Sequence, residues 1–230
     1  MAVKTWNLRQ INVGGTNPNR LWWDEAAAAA AATSSSGWTV GQIAAGNYSN
    51  LNQGVERATG TFSTTIVPNA TAPAVDNSYA ATAIYTPPTL LNDIESISTL
   101  YEYNGVFPAG TWTFNFPVIA VSSGNNQDGN IGIRVFRGLR SGTAWASVTE
   151  ITSARLEGTT VTNLTTAAAQ TSTVTWSAPA FRLQNEFLIV KVAWEITGAG
   201  TQNTRDVLLR WGSGASMVSP NFKKSRHIIT

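Results

Sequence analysis

The chain has no cysteine and only one histidine, His227, among its 230 residues. The first absence excludes disulfide staples, a thiolate nucleophile and cysteine-ligated zinc. The second leaves any Ser-His-Asp triad dependent on His227, which sits in a basic tail, and no G-x-S-x-G elbow is present. A histidine-built zinc site fails on the same count. Charge is also scarce, at 12% against the usual quarter, with a formal net charge of +2. No arginine-rich block or basic helix occurs, so a nucleic-acid groove is excluded. No apolar run approaches the length of a membrane helix. The opening "MAVKTWNLRQ" has a lysine but no apolar stretch behind it, so no cleaved leader is expected and synthesis in a cytoplasm is. Neither a metal nor a cofactor is expected.

What is present is 43% hydrophobic residues set in Thr, Ser, Asn and Gly, the composition of a β-sandwich with polar loops. "GTWTFNFPVIAV" (110–121) alternates, placing Trp112, Phe114, Phe116 and Val118 on one face. In "IGIRVFRG", Ile131, Ile133 and Val135 share a face, and Asp128–Gly129 just before it reads as a tight turn rather than a calcium loop. In "EFLIVKVAWEIT" (186–197), Leu188, Val190, Val192, Trp194 and Ile196 face one way, with Lys191 and Glu195 opposite. Shorter strands are expected over 61–67, 79–86, 147–152, 159–166, 171–178 and 206–212, and the ambiguous stretch 90–103 leans to strand. The spacing predicts an all-β protein: an antiparallel β-sandwich of jelly-roll type over 37–222. An N-terminal arm over 1–36 precedes it and a basic tail over 223–230 follows.

The arm raises the central question. "RLWWDEAAAAAAATSSSGW" (20–38) puts two tryptophans beside an alanine run that cannot build a core. Each ring can bury about 150–250 Å², or about 4–6 kcal/mol before entropy costs. Either the rings cap the chain's own sandwich or they dock on a neighbouring subunit. The docking reading assigns Trp6, Leu8, Trp22 and Trp23 to partner contact.

Carboxylate chemistry has no focus. Asp93, Glu95, Glu150, Glu157, Glu186, Glu195 and Asp206 are scattered, and Glu195 reads as a cross-strand partner of Lys191, Arg134 or Arg210 rather than as half of a glycosidase pair. The nine tryptophans suggest a sugar platform, with Trp38, Trp145, Trp176 and Trp211 as its members. A tryptophan at a strand end more often closes a sandwich.

"GTWTFNFPVIAVSSGNNQDGNIGIRVFR", followed by "TTVTNLTTAAAQTSTVTWSAPAFRLQNEFLIVKVAWEITGAG", resembles a group of tailed-bacteriophage structural proteins. In these a polar, threonine-rich jelly roll follows a short segment of the "WNLR…LWWDEAAAA…GWTVG" kind. The resemblance covers most of the chain and carries no functional residue to a particular position. It implies a virion component: a capsid cement or decoration protein, or a tail-associated subunit. Assembly in a reducing host cytoplasm fits the missing leader and cysteines. The expected protein is not an enzyme. Its partners are other virion proteins, major capsid or tail subunits, together with copies of itself, a homotrimer being favoured. A tail-associated carbohydrate-binding module that contacts a host receptor glycan is the alternative.

Overall fold

The computed structural model describes residues 3–12, 19–26, 96–120, 127–141, 144–165, 168–196, 207–209, 214–220 and 223–224. Among these, every regular element is a strand: β1 (Val3–Asn12), β2 (Asn19–Asp24), β3 (Ser96–Ser98), β4 (Tyr103–Phe107), β5 (Gly110–Ala120), β6 (Gln127–Ser141), β7 (Ala144–Glu150), β8 (Leu156–Glu157), β9 (Val161–Leu164), β10 (Gln170–Ala178), β11 (Phe181–Ile196), β12 (Val207–Leu209), β13 (Ser216–Pro220) and β14 (Lys223–Lys224). They form two antiparallel sheets packed as a sandwich. One runs β10-β5-β13-β1-β2, with β12 also on β5; the other runs β14-β4-β11-β6-β7, with β3 on β11 and both β8 and β9 on β6.

Period-2 alternation builds the core, because successive side chains of a strand point to opposite faces. Trp112, Phe114, Phe116 and Val118 of β5 face Ile131, Ile133 and Val135 of β6 and Leu188, Val190 and Val192 of β11, all fully buried in one cluster. The expected alternation holds in β5 and β6 and as far as Val192 in β11, although β11 starts earlier than expected, at Phe181. A bulge at Asn185 (φ 56°) lets that long strand change partner, from β4 to β6 and β3. Arg137 holds the bulge: it donates to the Arg182 carbonyl (2.8 Å) and pairs with Glu186 (3.7 Å), which in turn accepts the Gln184 N–H (3.0 Å).

Two expectations need correction, and a third needs it in part. The leading residues are no arm. β1 lies between β13 and β2 in register, Thr5 opposite Val218 and Leu8 opposite Trp23, so the first strands complete the smaller sheet. Asp128–Gly129 is no turn either, since both residues lie inside β6, where the Asp128 carboxylate accepts the Asn163 N–H (2.7 Å). Lys191, placed on the face opposite the apolar residues of β11, is fully buried there. The tail expectation is corrected in part, because Lys223–Lys224 pair with β4. The expected strands 61–67 and 79–86, residues 90–95 of the ambiguous stretch and the side chain of Trp194 lie outside the described residues.

Both lateral edges of the sandwich are sewn shut by a hydroxyl. At one corner, β2 reaches the other sheet through a parallel bridge from Trp23 to Thr99, and the Leu100 N–H donates to the Trp23 carbonyl (2.9 Å). The Thr99 N–H donates to the Leu188 carbonyl (2.8 Å), and its Oγ1 accepts the Leu188 N–H (3.1 Å). At the opposite corner, Gly158 bridges Val174 of β10, and its N–H donates to the Ile131 carbonyl (2.8 Å). Ser172 Oγ there donates to the Thr159 carbonyl (2.8 Å) and accepts the Ile131 N–H (3.0 Å). A Cβ on Gly158 would sit 2.4 Å from that hydroxyl, so only glycine fits.

Two outcomes follow for stability. Deleting residues 1–26 removes two strands and the rings of Trp6 and Trp23, so the truncated chain should lose its cooperative thermal transition; a normal melt would show these strands to be dispensable. Gly158→Ala should cost about 1–3 kcal/mol in urea denaturation by displacing the Ser172 hydroxyl.

Candidate functional site

The residues assigned to partner docking are spent within the chain. Trp6 stacks on Trp112 (5.8 Å between centroids, 11° between planes) and meets Tyr103 edge-on at 6.1 Å. Trp23 packs edge-on against Phe116 (6.0 Å, 70°). Trp6, Leu8 and Trp23 are fully buried, and Trp22 keeps only 3% of its surface. Trp6, Leu8 and Trp23, packed in the main core, are unavailable to another molecule, so for them the reading in which they complete the chain's own sandwich is the correct one; Trp22 is buried outside that cluster. Trp6 and Leu8 follow the inward alternation of "TWNLR", a strand signature that the polar residues between them obscured.

The sugar platform also fails at its described members. Trp176 lies in the main core beside Trp112 (5.8 Å) and Phe181 (6.1 Å). Trp145 belongs to a second cluster, with Phe136, Phe187 and Ile189 on the far face of the larger sheet, and meets Phe187 edge-on at 5.7 Å. It lies over Gly138, where a Cβ would come within 3.1 Å of the indole. Neither ring offers a face to a sugar. Trp38 and Trp211 lie outside the described residues, as does His227.

The most organised polar constellation is one the sequence reading missed. Tyr103, the first residue of β4, sits buried between the sheets. Its hydroxyl accepts the indole N–H of Trp6 (2.8 Å) and donates to Glu25, just beyond β2, in a short hydrogen bond. The same Glu25 oxygen takes the Lys4 ammonium at 2.6 Å. Lys4 also lies 4.7 Å from the Tyr103 ring centroid and 5.2 Å from that of Trp6, within cation–π range. Burial pushes the Tyr103 phenol well above its ordinary value; the Glu25 carboxylate adds to this and the Trp6 N–H opposes it. The hydroxyl therefore stays protonated, with both its donor and its acceptor capacity used. Chemically the cluster is a latch, tying β1 and the end of β2 to β4, rather than an acid or nucleophile poised for substrate. Its partners lie 78 residues apart in the chain, so no local pattern could have revealed it.

Glu150, Glu157 and Glu186 are likewise engaged. Glu150 takes Arg134 (2.7 Å) and the Thr152 hydroxyl (2.8 Å), a different partner for Arg134 from the Glu195 expected, whose side chain lies outside the described ones. Glu157 pairs with Arg155 and Glu186 with Arg137. Among the described residues, no group of three or more His, Cys, Asp or Glu side chains could hold a metal ion. No described helix is long and apolar enough to cross a membrane.

No protein-family model matches the chain, and no curated protein matches it. Among solved structures it is similar to an alpha-amino acid ester hydrolase labelled with selenomethionine, at 11% identity over 66% of this chain with a TM-score of 0.37. The chain spans 31% of the length of that hydrolase, and so loose a likeness carries no argument about activity.

The latch predicts an alkaline limit. An unfolded tyrosine ionises near pH ~10, whereas the folded Tyr103 holds its proton higher. Stability is then fully present below about pH 10 and falls above it, by up to about 1.4 kcal/mol per pH unit. Tyr103→Phe should remove this extra slope and, at neutral pH, cost about 1–3 kcal/mol by orphaning the Trp6 N–H. Denaturation at pH 7, 10 and 11 measures both, and parallel curves for the two proteins would refute the assignment.

Proposed function

We propose that this chain is a non-enzymatic structural subunit of a bacteriophage virion, a jelly-roll body that cements or decorates a capsid. The observation that carries the reading is the order of the long strands. β10-β5-β13-β1 faces β4-β11-β6-β7, so the first and last long strands are neighbours inside one sheet while the chain winds back and forth between the two. That order supports the jelly-roll reading of the sandwich, an architecture used by viral capsid and lectin domains and by cupins. Fold alone does not make function, and the described residues narrow the choice. A cupin-like metal cradle has no counterpart among them. The lectin-like alternative loses two of its four expected sugar-stacking rings to burial.

The mode of attachment differs from the sequence expectation. With β1 and β2 built into the sheet, Trp6, Leu8 and Trp23 are spent in the core and do not attach the chain to a neighbour. Attachment falls instead to outer sheet faces and to segments beyond the described strands. A threonine-rich, charge-poor exterior suits neighbours packed at fixed geometry, where unpaired buried charges would be costly.

Quantitative mass spectrometry of purified particles from a producing lysate tests the proposal. A shell component should be present in hundreds of copies per particle and a tail component in a few to a few tens. Absence of the chain from particles, with the protein recovered free in the lysate, would overturn the assignment.

A further inference from the structure

Three connections cross between the sheets at one end of the sandwich, and there they form one surface. Pro108 and Ala109 join β4 to β5, and Pro179 and Ala180 join β10 to β11. These two turns are neighbours, because Ala178 pairs with Gly110 and Phe181 with Phe107. The third connection leaves β13 at Pro220, opposite Val3. A Cβ on Gly110 would sit 2.6 Å from Cγ of Pro220, so the end is continuous from Val3 to the paired turns.

This tip is apolar, open and stiff. Pro108, Ala109, Pro179 and Ala180 are exposed, while Val3 keeps 64% of its surface and Val106 48%. Phe107 is buried beside them and stacks on Phe181 (5.0 Å, 23°), so both turns stand on the aromatic core. Proline fixes φ in each crossing, and groups fixed before docking lose less entropy on contact. Apolar side chains scattered singly are ordinary on a surface, whereas a contiguous set marks a contact site.

The margin of the tip carries one sign of charge. Val106 is flanked in register by Arg182 of β11 and Lys223 of β14, with Lys224 next along the edge. Arg182 is exposed, and no residue of 103–111 or 177–185 is acidic. Glu186, just beyond, is held by Arg137 (3.7 Å), and Lys4, next to Val3, is paired with Glu25 (2.6 Å).

We propose that this tip attaches the chain end-on to a protein neighbour whose apolar hollow is bordered by Asp or Glu, an inference that deepens the structural role proposed above and rests on it. The charge at the margin selects the occupant. Acids opposite Arg182 and the β14 lysines steer and orient the approach, whereas a second copy of the tip would set like charges together. Among the described residues no exposed aromatic ring stands on the tip, so a sugar finds no stacking platform and a lipid surface no interfacial anchor.

Supplying full-length variants to a producing strain from which the gene has been deleted tests this, with copies per purified particle read by quantitative mass spectrometry. Ala180→Asp sets an acid on the apolar tip, and Arg182→Glu reverses the charge of its margin. Each should lower the copies per particle by about tenfold or more. Thr162→Lys, exposed on β9 at the opposite end, should stay at the wild-type level. Circular dichroism melts select the variants that remain folded, and having two tip positions keeps the test decisive. Raising NaCl from about 0.05 M to 0.5 M should also release the wild type from particles, because salt screens the paired charges. Absence of the wild type from particles would overturn the structural role itself. A wild type that is present, with folded Ala180→Asp and Arg182→Glu chains at its copy number or with retention indifferent to salt, would overturn this attachment and leave that role standing.

Discussion

The structure depends on the chain's first strand pairing with its last long one. β1 enters between β13 and β2, and in doing so carries Trp6 onto Trp112 at the centre of the aromatic core. Without that insertion the smaller sheet would end at β13, leaving Met217 and Phe116 with no neighbour on that side. The contact joins residues at opposite ends of the sequence, and such non-local pairings slow folding. The latch of Lys4, Glu25 and Tyr103 then ties the inserted strands to the opposite sheet, the Tyr103 hydroxyl buried and Glu25 meeting it from the surface.

The threonine and serine content has a structural reason as well as a surface one. A sandwich with open edges presents unpaired backbone groups to other chains. Here each edge of the smaller sheet turns into the larger one where a single hydroxyl both accepts and donates: Thr99 beside β2 and Ser172 beside β10. An aliphatic residue at either position would leave a buried backbone N–H without its acceptor. The same residue types also line up in register on the outer face of that sheet, across β10, β5, β13 and β1.

Much of the body was legible before the structure. The alternations in β5, β6 and β11 are long, apolar and uninterrupted, and period-2 patterning is reliable in such segments. The first strand carries the same signal more faintly. Trp6 and Leu8 alternate correctly, but Lys4, Asn7 and Arg9 thin the apolar content, and the neighbouring alanine run drew attention to an arm. Adjacent Trp22 and Trp23 resist any one-face reading, because consecutive strand residues point opposite ways and yet both are buried. Asp128–Gly129 has turn chemistry but sits inside a strand, where Asp128 serves Asn163 instead. Lys191 fits a polar outward position by alternation and is nonetheless buried, since the far face of the larger sheet has a cluster of its own. The latch was invisible because it depends on contacts between distant segments.

The corner at Thr99 also couples the two sheets directly. Because the Thr99 N–H and Oγ1 both meet Leu188 of β11 while the next N–H meets the Trp23 carbonyl of β2, a shift of one sheet is passed to the other through two consecutive residues.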